Sequence, residues 1–322
     1  MSHPMTFSTS ATAVQIFKKE YAPSSNTDTP FGKDNKVSRT IDAHHHFWRT
    51  AAQEQPWRSD DHAALEADFG PEDLQKELSA ANIDATILMQ SVDEPAENDR
   101  LAEYAKADLV AGVVAWLPLA EPAAALAELD RINPLKVCGV RTLIAQDPLD
   151  WLTSEESISL FREIARRGLA WDVVPVSSQQ IRSVLKLAAA VPELRIVVDH
   201  LGRPPLDTRE WQPWADHLKE LSQCPGVAVK VSVGIDVLTR WSSWQREDLV
   251  PYVTWVSEHF GASRLMMASN WPVILLKADY QRAWQDLSAV VRDVFPDPAD
   301  QALLKGGTAE RWYSLPVPAT AR

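Results

Sequence analysis

The chain has 322 residues, of which 45% are hydrophobic and 24% are charged. This composition is typical of a globular protein with one large domain or two ordinary ones. The formal net charge is −12, which argues against nonspecific binding to nucleic acid or to an anionic membrane surface, since both are negatively charged. We therefore expect the main partner of this protein to be a small molecule.

The sequence shows neither a membrane span nor a secretory signal. No apolar run is long enough to cross a bilayer, and the N-terminus lacks a charged start followed by an apolar stretch and a cleavage site. The two cysteines, Cys138 and Cys224, are too few to imply a disulfide framework. We expect a protein of the reducing cytoplasm.

The first part of the chain differs from the rest. Residues 1–39 are rich in Ser, Thr, Pro, Asn and Lys and show weak periodicity, which predicts an extension outside the main fold. Such an arm could exchange between the subunits of a homo-oligomer. A polar stretch after Trp48 is too long for a tight turn, and long loops in compact domains are commonly functional.

From residue 71 onward, amphipathic segments alternate regularly with apolar runs. The apolar runs predict strands at 85–91, 110–118, 136–144, 170–176, 195–201, 227–233 and 264–272, after a first strand near Ile41. The amphipathic segments predict helices at 71–82, 97–107, 122–133, 154–167, 179–191, 211–223, 248–260, 279–294 and 298–313. Strands that are apolar throughout are typical of a sheet buried on both faces.

This order gives about eight or nine strands, nearly all followed by a helix, and predicts an α/β fold of the closed (β/α)8 TIM-barrel class. No glycine-rich phosphate fingerprint follows the first strand, which argues against a dinucleotide-binding doubly wound sheet. No linker interrupts the pattern. We therefore expect a single barrel domain over residues 40–315, an N-terminal extension over 1–39 and a C-terminal tail over 316–322.

A cluster of histidines lies in the first predicted strand. The stretch from Thr40 to Trp48 reads Thr-Ile-Asp-Ala-His-His-His-Phe-Trp. Because side chains alternate along a strand, His44 and His46 point to one face and His45 to the other. Two imidazoles on one face can reach one metal ion, or one polar group of a substrate, together. A histidine-rich surface turn is the alternative.

Polar residues follow many of the other predicted strands. In a barrel of this class the chemistry takes place at the C-terminal ends of the strands. The polar residues there are His44, His46, Gln90, Glu94, Arg141, Asp172, Asp199, His200, Lys230, Ser232, Ser269 and Asn270. Most inward positions of a barrel are apolar, so packing does not explain ionisable groups from so many strand ends. They predict an active site.

Six segments of the chain form an ordered set of motifs. They read Ile-Asp-Ala-His-His-His-Phe-Trp (41–48), Cys-Gly-Val-Arg (138–141), Val-Asp-His-Leu-Gly-Arg-Pro (198–204), Val-Lys-Val-Ser (229–232), Ala-Ser-Asn-Trp-Pro-Val (268–273) and Gly-Gly-Thr-Ala (306–309). The set resembles the amidohydrolase-2 branch of the amidohydrolase superfamily, and within it the sugar-lactone and 2-pyrone-4,6-dicarboxylate lactonases. The resemblance implies a (β/α)8 barrel in which water attacks the carbonyl carbon of a lactone and the ring oxygen leaves.

The resemblance also implies the site residues. His44, His46 and His200 would be catalytic, or would bind a zinc or manganese ion, since some members hold a divalent ion and others work without one. The family's final motif reads Gly-Ser-Asp-Trp-Pro, whereas this chain has Asn270 in place of the aspartate. An amide can orient a water molecule but cannot deprotonate it. The base is therefore open among His200, Asp172, Glu94 and a metal-activated water.

Further residues are candidates for contact with the substrate: Arg141, Lys230, Trp48, Trp271, Glu94 and Asp172, together with Trp57. The fork of Arg141 suits a carboxylate or a carbonyl oxygen, and a salt bridge to a loop acid is its alternative role. Lys230 binds substrate or pairs with a buried acid. Glu94 and Asp172 are either ionised site residues at the barrel mouth or simply solvated loop acids. The tryptophans form an aromatic wall or pack in the core.

Three functions are compatible with these residues. The first is a hydrolase that opens the lactone of a small sugar acid or of an acid from aromatic catabolism. The second is a relative with altered chemistry, a decarboxylase or a hydratase, which fits the loss of the aspartate. The third is a non-catalytic barrel that binds a small ligand. Only Asn270 supports it, because the other polar residues would be costly to keep buried without use.

Overall fold

The computed structural model describes residues 39–132 and 136–316. The predicted extension over 1–39 and the predicted tail over 316–322 therefore lie outside the described residues, apart from Arg39 and Pro316. Arg39 Nε donates to Glu310 Oε1 at 2.7 Å, which ties the start of the described chain to its last helix. Within the described ranges, no helix combines the length and the apolar character needed to cross a bilayer.

Eight parallel strands form the centre of the fold, and each one pairs with the next along the chain. They are β1 (Ile41–His45), β2 (Ala85–Met89), β3 (Val110–Trp116), β4 (Val137–Arg141), β5 (Ala170–Val173), β6 (Arg195–Val198), β7 (Val227–Val231) and β8 (Leu265–Met267). The α-helices are α1 (Pro71–Ala81), α2 (Ala96–Tyr104), α3 (Pro122–Arg131), α4 (Glu155–Arg166), α5 (Ser178–Ala190), α6 (Trp214–Ser222), α7 (Ile235–Arg240), α8 (Arg246–Phe260), α9 (Tyr280–Val294), α10 (Pro298–Ala302) and α11 (Thr308–Trp312).

The first strand and the segment after the last strand meet at the mouth of the barrel. His46 N donates to Trp271 O at 2.8 Å, and Asn270 N donates to His44 O at 2.9 Å. These bonds bring two of the predicted site segments together through the backbone. The predicted (β/α)8 barrel is confirmed.

A buried carboxylate reinforces this closure. Asp42 accepts hydrogen bonds from Ser269 N at 2.8 Å, from Ser269 Oγ at 2.6 Å and from the Tyr280 hydroxyl at 2.9 Å. Its partners come from the segment after β8 and from α9, on the outer side of the barrel. The aspartate that precedes the histidines therefore has a structural partner set of its own.

Several strands end earlier than the apolar runs predict. The β6 strand stops at Val198 and β8 at Met267, although both runs continue for several residues. His200 and Asn270 have φ angles of +56° and +59°, and a residue in this left-handed region cannot continue an extended strand. The apolar runs continue because the loops at the mouth also pack against the core.

Two helical regions also differ from the prediction. The short helix α7 lies in a stretch where no helix was predicted, and the predicted helix over 298–313 consists of α10 and α11 with a wider helical turn, Leu303–Gly307, between them. Gly306 lies in that turn, and a Cβ there would meet Arg39 O at 1.8 Å. The close approach of the chain entering β1 explains why a glycine is needed at this position.

The barrel interior is filled mostly by small or flexible side chains. They include Ala43, Ile87, Met89, Ala170, Val197, Ala228 and Met266. Tyr313, after α11, packs into the same inner cluster. Two charged side chains, Asp172 and Lys230, share this interior and are fully buried. The space left by the small residues is therefore used for charge as well as for apolar packing.

Candidate active site

A cavity of about 200 Å³ opens at the C-terminal ends of the strands. Its polar lining includes His46, Gln90, Arg141, His200, Arg203 and Asn270. Its apolar lining includes Trp57, Leu143, Ile144, Val174, Ile235 and Val273. Polar groups from the ends of five different strands therefore meet at one mouth, as predicted for the active site of such a barrel.

His44 and His46 lie side by side at the end of β1, with their Nε2 atoms 3.1 Å apart. His46 Nδ1 lies 3.2 Å from Met89 O, and His44 Nδ1 lies 3.3 Å from Asp199 Oδ1. Because both of these partners are acceptors, they favour a proton on each Nδ1 and a lone pair on each Nε2. Two lone pairs that face each other at this distance are suited to share a cation.

The protonation of these rings follows from their burial. Burial lowers the pKa of His46 to about 3 and lowers the pKa of His44 well below its ordinary value. Both imidazoles are therefore neutral near pH 7, which is the form that binds a metal. The side chain of His45 points the other way and contacts Thr86 Oγ1 at 2.8 Å, so it takes no part in the cavity.

His200 contributes a third imidazole from the loop after β6. Its Nδ1 lies 2.9 Å from Ser232 Oγ, which leaves Nε2 as the nitrogen for the cavity. Burial lowers its pKa well below the ordinary value, although the carboxylate of Asp199 acts in the opposite sense. The ring centroids of His200 and His44 are 4.5 Å apart. The three predicted histidines thus occupy one neighbourhood.

Asn270 presents a single acceptor to the site. Its Nδ2 donates to Val233 O at 2.8 Å, and its Oδ1 is buried with no hydrogen-bond partner among the described residues. The hydrogen bond to the carbonyl of Val233 fixes which end of the amide is the oxygen. Asn270 and His200 both have left-handed backbone conformations, which are uncommon for residues other than glycine. Such strain concentrates at functional sites.

Two arginines face the cavity. Arg141 makes only long contacts, 3.4 Å from Nε to Asp199 Oδ2 and 3.4 Å to Gln90 O, so donors of its guanidinium are available to a ligand. Arg203 lies 3.2 Å from an oxygen of Asp236. The sequence reasoning missed Arg203, although it belongs to one of the six motifs. The signal that could have identified it is its position three residues after His200 in the same motif.

Other predicted site residues lie elsewhere. Glu94 pairs with Arg100 on α2, away from the cavity lining. Trp48 packs edge-on against Phe69 with ring centroids 5.4 Å apart, and Trp271 packs against the same ring at 5.3 Å. The two tryptophans stand behind the cavity, in the core.

Lys230 and Asp172 lie below the cavity and are completely buried, with Lys230 Nζ 2.6 Å from Asp172 Oδ1. Burial raises the pKa of Asp172 to about 6, although Lys230 opposes this change. For Asp199, burial alone would raise the pKa, but the nearby charge of Lys230 and the contacts with His44 and Arg141 lower it well below the ordinary value. Asp199 is therefore the ionised carboxylate next to the histidines.

A comparison with known families identifies the chain. The family model described as amidohydrolase matches residues 41–315. The chain belongs to the amidohydrolase family. It is 32% identical to an L-fucono-1,5-lactonase of Burkholderia ambifaria over 290 residues, which cover 86% of this chain and 96% of that enzyme. It is 31% identical to the L-fucono-1,5-lactonase of Burkholderia multivorans, covering 88% of this chain and 98% of the relative.

Solved structures show the same likeness. An amidohydrolase from Burkholderia multivorans, crystallised with bound zinc, superposes with a TM-score of 0.78 at 27% sequence identity. The match covers 87% of this amidohydrolase-family chain and 100% of that one. In the described part of the present chain, His44, Asp199 and His200 offer ligand atoms that all lie within 4.8 Å of one another. Imidazole and carboxylate groups clustered in this way suggest that this region of the barrel mouth binds a divalent ion.

Proposed function

We propose that this protein hydrolyses the lactone of a small sugar acid. The observation that carries the proposal is the convergence of neutral imidazoles, an unpaired amide oxygen and an available guanidinium at one cavity of a barrel mouth. The two similar L-fucono-1,5-lactonases support a sugar lactone over an aromatic-catabolism lactone as the substrate.

His200 is the side chain that can act as the base. Glu94 pairs with Arg100 outside the cavity, and Asp172 is buried below it. His200 lines the cavity, and its Nδ1 is engaged by Ser232, which leaves Nε2 to accept a proton. The ionised carboxylate of Asp199 offsets part of the cost that burial places on the imidazolium that forms.

The other cavity residues orient the reactants. Asn270 Oδ1 accepts one O–H of the attacking water, and His200 Nε2 takes the proton of the other. The guanidinium of Arg141 donates to the carbonyl oxygen of the lactone, where negative charge develops. The tetrahedral intermediate then collapses as the bond between the carbonyl carbon and the ring oxygen breaks. The ring oxygen takes the proton from His200, and an open hydroxy acid is released.

The donor set fits a divalent metal. The lone pairs of His44 Nε2 and His46 Nε2, 3.1 Å apart, are compatible with metal–nitrogen bonds of about 2.0–2.1 Å. We propose that these two atoms hold the ion and that it is zinc or manganese, since imidazole nitrogen suits zinc well. When bound, such an ion supplies a positive charge that polarises a carbonyl and makes water more acidic.

The cavity also limits the substrate. Its volume of about 200 Å³ is below the roughly 300–1,000 Å³ of sites for drug-sized ligands, so it accommodates a single small ring. The lining combines polar groups with the apolar side chains of Trp57, Ile235 and Val273. A sugar lactone that carries a methyl substituent beside its hydroxyls matches this mixed lining better than a fully hydroxylated one.

The proposal is tested with a panel of lactones. The purified protein is mixed with L-fucono-1,5-lactone, with fully hydroxylated aldonolactones and with pyrone carboxylates, and acid release is followed with a pH indicator. We expect the highest kcat/KM for the deoxysugar lactone. Release at the buffer rate for every member of the panel would reject a lactonase.

The unpaired Cys138 and Cys224 support the expected reducing compartment, the cytoplasm.

A further inference from the structure

A line of buried charges runs from the floor of the cavity toward the bottom of the barrel. Lys230 Nζ lies 2.6 Å from Asp172 Oδ1 and 3.0 Å from Asp199 Oδ1, and all three side chains are completely buried. The hydroxyl of Tyr313 donates to the same Asp172 oxygen at 2.6 Å. None of these four residues belongs to the cavity lining in the described part of the chain, so a bound substrate does not touch them.

The upper end of this line reaches His44. Asp199 Oδ1, which accepts from Lys230, also lies 3.3 Å from His44 Nδ1. The other oxygen of Asp199 lies 3.4 Å from Arg141 Nε. The carboxylate is thus held between two cations, and its Oδ1 is aimed at the imidazole. Lys230 Nζ itself lies 3.3 Å from His44 Nδ1, farther than from either carboxylate.

These distances decide which atom of His44 carries the proton. A lysine ammonium has only donors and a carboxylate has only acceptors. Two of the three protons of Lys230 are directed to the two nearer carboxylates, and the third has Met89 Sδ at 3.4 Å as its acceptor. Asp199 is therefore the acceptor that His44 Nδ1 faces. The proton then stays on Nδ1, and Nε2 keeps a lone pair toward His46. Fixing a tautomer through the far ring nitrogen is the usual role of such a partner of a histidine.

We propose that Lys230 is a positioning residue that acts through Asp199 to hold His44 in the Nδ1–H tautomer. The role in turnover rests on the proposed lactone hydrolysis, whereas the tautomer of His44 is independent of it. The competing explanation is that Lys230 serves only to neutralise the buried carboxylates. The two explanations predict different kcat values for a variant that keeps the charge balance but loses the contact with Asp199.

The test uses a charge-balanced double variant, Lys230→Met with Asp172→Asn. It removes one positive and one negative charge and keeps side chains of similar length. We expect its thermal unfolding to stay close to the wild type. We expect kcat to fall roughly 10- to 100-fold, because a His44 that carries its proton on Nε2 no longer offers a lone pair to the proposed ion. We expect KM to change by less than about two-fold, because Lys230 does not touch the substrate. Wild-type kcat in this variant would overturn the proposal.

A matched control comes from the other end of the same line. Tyr313→Phe removes one donor from Asp172 and none from Asp199, so we expect kcat to stay at the wild-type value. A fall in kcat equal to that of the double variant would mean that any disturbance of the line lowers turnover. That result would overturn the specific role of Lys230.

A second measurement does not depend on activity, and its deciding result comes from the wild type alone. Side-chain ¹⁵N NMR spectra of metal-free wild-type protein, labelled at histidine, report the tautomer of His44 directly. We expect the Nδ1–H form in the wild type and a mixture of both forms in the double variant. An Nε2–H form in the wild type would overturn the proposal. If no lactone is turned over, the proposed function fails while this measurement still decides the role of Lys230.

Discussion

The substitution Asn270→Asp tests how the proton is moved in this site. In the wild type, Asn270 Nδ2 donates to Val233 O at 2.8 Å, and Oδ1 is an acceptor without a partner among the described residues. An aspartate keeps the acceptor and adds a base, but it has no donor for the carbonyl of Val233. The variant therefore gains a proton acceptor at the cost of one buried hydrogen bond.

Both effects can be given a magnitude. A buried carbonyl that loses its donor costs about 1–3 kcal/mol, and an adjacent carboxylate oxygen adds repulsion. At about 2–4 °C per kcal/mol for a large domain, we expect Tm to fall by about 2–12 °C. A positioned general base contributes about 10²- to 10⁴-fold to the rate. His200 already supplies one base, so we expect the gain from Asn270→Asp alone to be less than about 10-fold.

The clearest result comes from combining two variants in a double-mutant cycle. Where His200→Asn has removed the proposed base, Asn270→Asp should raise kcat by about 100-fold, much more than in the wild type. The assay is acid release from L-fucono-1,5-lactone. Equal effects of Asn270→Asp in both backgrounds would show that the two positions do not share one task. An absence of rescue in a folded double variant would refute the reasoning as well.

Three further predictions concern pH, metal and substrate. Burial holds the pKa values of four histidines below the ordinary value: His44, His45, His46 and His200. Only the unfolded chain therefore takes up protons at these residues as the pH falls through about 6.5. Stability is therefore lost on acidification, and the raised pKa of Asp172 opposes this only in part. Urea unfolding of metal-free protein should show a loss of about 2 kcal/mol from pH 7 to 6, and a constant value would contradict the neutral state of the rings. His46→Asn should lower the zinc content measured by elemental analysis, whereas His200→Asn should leave it unchanged. A fall in zinc content with His200→Asn but not with His46→Asn would assign the ion to other residues. Trp57→Ala should raise KM for a deoxysugar lactone about 10-fold with kcat nearly unchanged, and an unchanged KM would remove Trp57 from the binding wall.

The barrel and the family could be predicted because their signals repeat along the chain. Apolar runs recur in regular alternation with amphipathic segments, and six motifs occur in one order. The α/β barrel and the amidohydrolase family are both confirmed. The predicted ends of the strands were less accurate. The turn at His200, for example, depends on a left-handed backbone conformation that the apolar run does not reveal.

The depth of each polar residue in the barrel could not be predicted from its position in a motif. Arg141 and Lys230 both belong to motifs at strand ends, yet Arg141 reaches the cavity and Lys230 lies below it. Depth depends on how neighbouring strands are staggered around the barrel and, for Arg141, on the irregular register between β3 and β4. These are properties of the assembled sheet, so a pattern along one strand does not determine them.

The central claim is that one cavity at the barrel mouth opens a lactone with His200 as the base. The most direct measurement compares acid release from L-fucono-1,5-lactone by the wild type and by His200→Asn, with the spontaneous rate in buffer subtracted. The account predicts turnover by the wild type and a kcat at least about 100-fold lower for the variant, with folding intact. Equal rates for the two proteins, or a wild type that only matches the buffer, would contradict it.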